Sequence, residues 1–181
     1  MVKKKACIFI SGNGSNLKNI VLRSRDVNFP LTISLVICNN KNAKGIDYAK
    51  KFKIPYVFVC NKNKNDEKKI LLNLKKYKIS FICLAGYMKM ISNSLIKSYQ
   101  KKIVNIHPSL LPKFKGLNTH KRVLKNKQKY TGCTVHYVTP KLDSGNIILQ
   151  KNRATLTPLK KKSSRASHSD AKPVKSIGIL R

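Results

Sequence analysis

"KACIFISGNGSNLKNIVLRSR", residues 5–25, runs an apolar stretch into a helical one through two glycines. "KACIFIS" (5–11) is an almost unbroken run of Ile, Phe, Ala and Cys, the pattern of a strand covered on both faces. "SNLKNIVLRSR" (15–25) has the spacing of a helix. Gly12 and Gly14 between them permit positive φ and close backbone approach, so successive N–H groups can form an anion-binding nest. Ser15 and Asn16 open the helix, whose N-terminal dipole favours a phosphate. Leu17 occupies the third position of G-x-G-x-x-G and no P-loop lysine follows, so a single phosphate monoester fits better than a dinucleotide. The same residues are also compatible with a plain strand–helix turn capped by Ser15.

The alternation continues outward from this stretch. "LTISLVICN" (31–39), "PYVFVC" (55–60), "ISFICLAG" (79–86) and "KIVNIH" (102–107) read as further strands. "GIDYAKKFK" (45–53), "DEKKILLNLKKYK" (66–78) and "SNSLIKSYQ" (92–100) read as helices between them. In the longest, Ile70, Leu71, Leu74 and Tyr77 form one apolar stripe, and Asp66 and Glu67 lie where the helix dipole favours acids. Such alternation predicts an α/β fold with a doubly wound, mostly parallel sheet and helices on both faces. "TGCTVHYVT" (131–139) and "GNIILQK" (145–151) predict a β-hairpin added at the edge. From Thr155 the sequence "TLTPLKKKSSRASHSDAKPVKSIGILR" has no period, which predicts one folded domain over 1–154 and a basic, disordered tail over 155–181.

The chain has 39 Lys and Arg against 6 acids, a net charge of +33. The lysines are scattered, with Asn and Ile, over positions free to vary, as in "NKNKNDEKKI", so compositional drift explains them better than a selected nucleic-acid surface. Specific nucleic-acid binding is therefore not expected, although a basic binding protein is the competing class. Cys7, Cys38, Cys60, Cys83 and Cys133 lie in apolar runs without C-x-x-C spacing, which predicts reduced core thiols and no metal site. The N-terminal apolar stretch is too short for a signal peptide and no segment has transmembrane length, so a cytoplasmic protein without membrane contact is expected.

"NIHPSLLPKF" (105–114) places Asn105 and His107 two apart at the carboxyl end of a predicted strand, where ligands gather in doubly wound sheets. An amide and an imidazole on one side can stabilise an oxyanion and move a proton, although a packed strand-end histidine is the plainer alternative. Asp143 is the only acid between Glu67 and Asp170. A turn role before Ser-Gly would account for it, and so would a carboxylate that holds His107 protonated. No role is assigned to His136, read as pointing out of a strand, or to His120 and His168.

"ISGNGSNL", "LAGYMKMIS", "VNIHPSLLPKFKGLNTH" and "GCTVHYVTPKLDSGNIILQ", in this order over residues 5–151, resemble the phosphoribosylglycinamide formyltransferases. This branch of the folate-dependent formyltransferases has a Rossmann-like fold. The resemblance implies transfer of the formyl group of 10-formyltetrahydrofolate to the amine of 5'-phosphoribosylglycinamide, without a metal, by a monomer or homodimer. It implies that Gly14, Ser15 and Asn16 hold the substrate phosphate and that Asn105, His107 and Asp143 are catalytic. It implies a folate pocket of Met88, Lys89, Met90, Ile91 and Asn105 with the loop Thr139, Pro140, Lys141, Leu142 and Asp143. The sequence departs from the family in three places: Lys89 stands where Arg is usual, a basic folate contact near Lys62–Lys64 has no secure counterpart, and residues 155–181 lack the usual acidic segment and Glu-bearing helix. A reading frame altered near Thr157 would explain the last of these and would leave a truncated, weakly active or inactive remnant as the alternative.

Overall fold

The structure, a computed structural model, describes residues 2–60 and 62–155. Twelve elements follow one another: β1 (Lys4–Ile10), α1 (Ser15–Ser24), β2 (Leu31–Cys38), α2 (Gly45–Lys51), β3 (Tyr56–Phe58), α3 (Lys64–Lys76), β4 (Phe81–Leu84), α4 (Asn93–Ser98), β5 (Ile103–His107), α5 (Thr119–Lys125), β6 (Tyr130–Tyr137) and β7 (Ile147–Ala154). The strands form one sheet in the order β3-β2-β1-β4-β5-β6-β7. β1 to β5 pair in parallel, and β6 and β7 add antiparallel at the edge. The doubly wound α/β sheet with an edge hairpin is thus present. The predicted tail over 155–181 falls outside the described residues except for Thr155.

The apolar character of β1 follows from its central place. Ala6, Ile8 and Ile10 pack on one face with Leu17 and Val21 of α1 and Ala49 of α2. Cys7 and Phe9 pack on the other with Ile70 and Leu74 of α3 and Leu95 of α4. Successive side chains of a strand point to opposite faces, so a strand covered twice needs apolar residues at every position. Burying a side chain such as Phe9 contributes about 1.5–3 kcal/mol. The stripe of α3 is seen as Ile70 and Leu74 buried with Leu71 and Tyr77 partly so. Asn63 caps this helix by accepting from the Asp66 N–H at 2.9 Å, and Asp66 and Glu67 occupy the first turn.

Departures from the sequence pattern are local. α5 was not anticipated: it has seven residues, no acid in its first turn and an Asn118 cap in the left-handed region without a side-chain cap bond. α2 stops at Lys51 because Lys53 turns to φ 54°. Cys7, Cys38, Cys83 and Cys133 are buried, Cys60 is partly buried, and all five are free. Burial pushes the Cys83 thiol up to about 12, consistent with an inert core thiol. No helix among the described residues is long and apolar enough to cross a membrane.

Candidate active site

The chain reverses its direction of travel across the sheet at β1. From β1 it moves outward to β2 and β3, then returns to add β4 on the other side. The loops after β1 and β4 therefore diverge at a topological switch point, which opens a crevice at the carboxyl ends of the strands. They are tied together by the Met88 N–H, which donates to Ser11 Oγ at 2.7 Å.

The loop after β1 is backbone architecture. Gly14 caps α1 in the left-handed region (φ 70°, ψ 22°), and no side chain caps the helix. The Ser15-capped turn considered from sequence is therefore not formed. A Cβ on Gly14 would lie 2.5 Å from the Gly45 Cα, so only glycine fits. The first-turn N–H groups of α1 are left without a side-chain acceptor at an exposed Ser15 and a half-buried Asn16. A phosphate would satisfy these donors.

The loop after β4 carries Met88, Lys89, Met90 and Ile91. Met88 and Met90 are exposed although apolar, while Ile91 is buried in the core beneath them. Leu142, across the crevice, is also exposed. Apolar side chains left open beside polar groups suit a flat organic ring. In the facing loop Thr139 is half-buried and donates to the Lys141 carbonyl at 3.1 Å, and Pro140 and Lys141 are exposed.

At β5 the side chains take over. Asn105, His107 and Asp143 meet, as their candidate roles require. Asp143 sits in the left-handed region (φ 43°), a conformation that Asp tolerates better than most residues. Its Oδ2 accepts from the Gly116 N–H at 2.8 Å and lies 3.3 Å from His107 Nδ1. Its Oδ1 accepts from Asn105 Nδ2 at 3.3 Å. His107 is buried, and its Nε2 donates to the Phe114 carbonyl at 2.9 Å. Burial works against ionisation of Asp143. The His136 side chain, the Gly116 N–H and the charges of His107 and His136 outweigh it and hold the carboxyl below its ordinary value.

His136 corrects the sequence reading. It does not point outward: it is 2% exposed, and Nε2 lies 3.2 Å from Asn105 Nδ2 and 3.5 Å from Asp143 Oδ1. Its Nδ1 donates to the Tyr137 carbonyl at 2.9 Å. Nε2 therefore accepts from Asn105 when bare and faces Asp143 as a donor when protonated. The available signal was register: His136 pairs with Asn105 across the antiparallel β5–β6 ladder, and directly opposed residues share a face. Thr134, opposite His107, was missed for the same reason. Its hydroxyl donates to the Ser109 carbonyl at 2.6 Å and accepts from the Leu111 N–H, which pins the loop beyond His107.

A family model described as formyl transferase matches residues 4–172. The chain belongs to the formyl transferase family. The phosphoribosylglycinamide formyltransferase of Bacillus subtilis is 40% identical over 152 residues, which cover 82% of this chain and 78% of that protein. The human trifunctional purine biosynthetic protein adenosine-3 is 40% identical over 155 residues, 82% of this chain but only 15% of that larger protein. Among solved structures, glycinamide ribonucleotide transformylase 1 of Geobacillus kaustophilus superposes with a TM-score of 0.81 at 34% identity. That match covers 87% of this chain and 86% of the other.

Within this formyl transferase two of the three departures from the family pattern take a place in space, the third lying outside the described residues except for Thr155. Lys89 is exposed on the loop after β4, and Lys62 is exposed just before α3. The Lys62 N–H donates to Asp66 Oδ2 at 2.9 Å, so its backbone serves the start of α3. Among the described residues no cluster of His, Cys, Asp or Glu is arranged to hold a metal ion.

Proposed function

We infer that this formyl transferase moves the formyl group of 10-formyltetrahydrofolate to the amine of 5'-phosphoribosylglycinamide, a step of purine biosynthesis. The observation that carries the reading is the convergence of Asn105 and His107 on the buried Asp143 carboxylate beside the crevice. The chain acts on small molecules, and we place it in the cytoplasm, with no specific nucleic-acid partner.

In this reading Gly14, Ser15 and Asn16 hold the phosphate through backbone N–H groups at the start of α1. Met88, Lys89, Met90 and Ile91, with Thr139, Pro140, Lys141 and Leu142, take the pterin and keep water from it. The glycinamide nitrogen attacks the formyl carbon, and the carbonyl oxygen becomes an oxyanion. Asn105 Nδ2 and His107 Nδ1 turn their hydrogens onto it. Their present contacts with Asp143, both 3.3 Å, are long and yield to a closer anionic acceptor. Asp143, ionised and beside them, takes the proton released by the attacking nitrogen. The tetrahedral carbon then breaks its bond to N10, which leaves with that proton. One C–N bond forms, one breaks and charge balances without a metal.

The test is formyl transfer by the purified chain, followed through the folate absorbance change, with His107→Ala and Asp143→Asn beside it. Turnover by the wild type and a loss of about 10²–10⁴-fold in either variant is expected. Full activity in both variants would refute the assignment, and no turnover by the wild type at saturating substrates would refute the function.

A further inference from the structure

Beyond the crevice, a second cavity of about 440 Å³ lies between the loop after β5, α5 and the start of β6. Its apolar lining comes from Leu110, Phe114 and Val123, and its charge from Lys113, Lys127 and Lys129. None of the five acids among the described residues lines it. Among the described residues the only ion pairs are those of Asp143 with the two histidines, so these lysines have no carboxylate partner there. Gln128, Tyr130 and Thr131 complete the lining, and three cations with no acid among them are a reason to expect an anionic ligand. The volume falls in the range of organic ligands and far exceeds one inorganic ion.

Phe114 joins the cavity to the catalytic cluster. Phe114 is held at φ 57°. Its side chain lines the cavity, while its carbonyl accepts from His107 Nε2 at 2.9 Å. Ser109 Oγ, which donates to the Lys113 carbonyl at 2.7 Å, fixes the preceding peptide. Anything that packs on the Phe114 ring bears on the acceptor that sets the His107 ring.

We propose that this cavity is a second ligand site, for an anion that pairs a phosphate with a flat ring of nucleoside size, and that its occupant acts on His107 through Phe114. The phosphate lies among Lys113, Lys127 and Lys129, and the ring rests on Phe114 and Val123.

The experiment is calorimetric titration of the full chain with adenosine monophosphate, adenosine and inorganic phosphate, each repeated with the crevice saturated by glycinamide ribonucleotide. The monophosphate is expected to bind at one site in both cases, with adenosine and phosphate alone at least about tenfold weaker. The double substitution Lys127→Glu/Lys129→Glu is expected to weaken binding by at least about tenfold, with unchanged melting temperature and unchanged transfer rate in the absence of nucleotide. Lys50→Glu/Lys51→Glu makes the same change in net charge on α2, away from the cavity, and is expected to leave binding within about twofold. The His107 ring resonances should shift when the wild type is loaded. Absence of binding, loss of binding when the crevice is saturated, or equal loss in the two double variants would overturn the site. Binding that leaves the His107 resonances unmoved would overturn its action on catalysis.

Discussion

The loop after β1 offers a ligand its backbone and almost no side chain, whereas the cluster after β5 offers side chains and little free backbone. Gly14 is fixed by its own φ and by contact with Gly45, both consequences of lacking a Cβ. Asp143 is fixed by groups from three stretches of the chain: Asn105 and His107 of β5, Gly116 in the loop beyond, and His136 of β6. One half resists change at a single position, and the other depends on mutual support. The comparison teaches that a fixed anion such as phosphate can be met by dipoles built into the main chain. A charge that appears and disappears during reaction needs side chains that can exchange partners.

Substitutions can separate the two halves. Of the changes that separate them, the largest effect is expected from Asn105→Ala, at the proposed oxyanion donor: kcat should fall about 10²–10³-fold with little change in KM for the phosphorylated substrate. Steady-state kinetics measures both. Gly14→Ala should behave in the opposite sense, raising that KM and destabilising the fold by about 1–3 kcal/mol, because alanine meets both a strained φ and the Gly45 backbone. Urea unfolding of the variant checks the second part.

Removing the His136 ring by His136→Gln should lower kcat by about tenfold and raise the acid limb of the pH–rate profile, because Asp143 loses one of the groups that hold its carboxyl down. A parallel loss of kcat with an unmoved limb would mean that His136 is only packing. Stability should carry the same signature. The folded-state pKa of Asp143 is depressed below 3.8, so its stabilising contribution is complete above that value and is lost as pH falls through the folded-state value. The difference in unfolding free energy between wild type and Asp143→Asn should therefore hold steady above about pH 5 and narrow as pH falls below about pH 4. The smallest effect belongs to Ser15→Ala. With Gly14 as the cap and no side-chain cap bond, it should change stability by less than about 0.5 kcal/mol, against about 1 kcal/mol for loss of a true side-chain cap.

The same difference governs what the sequence discloses. The loop after β1, proposed for the phosphate, is local: glycines between an apolar run and a helical one are legible within twelve residues, and so is a parallel sheet whose strands are apolar at every position. Asn105 and His107 were legible as a pair because a strand's period of two puts them on one side. Asp143 could be picked out only because acids are so scarce in this chain. His136 was not legible, since its direction depends on how β6 registers against β5, and one residue of slip would have turned it outward. α5 escaped because seven residues with two buried side chains carry too little periodicity to distinguish them from a basic loop.

A double-mutant cycle in kcat/KM for formyl transfer asks directly whether His107 and Asp143 act as one unit. If they do, the double variant His107→Ala/Asp143→Asn is no slower than the worse of the two single variants, because each single change already disables the pair. Losses that multiply in the double variant, or activity retained in either single one, would contradict a catalytic cluster organised around the Asp143 carboxylate.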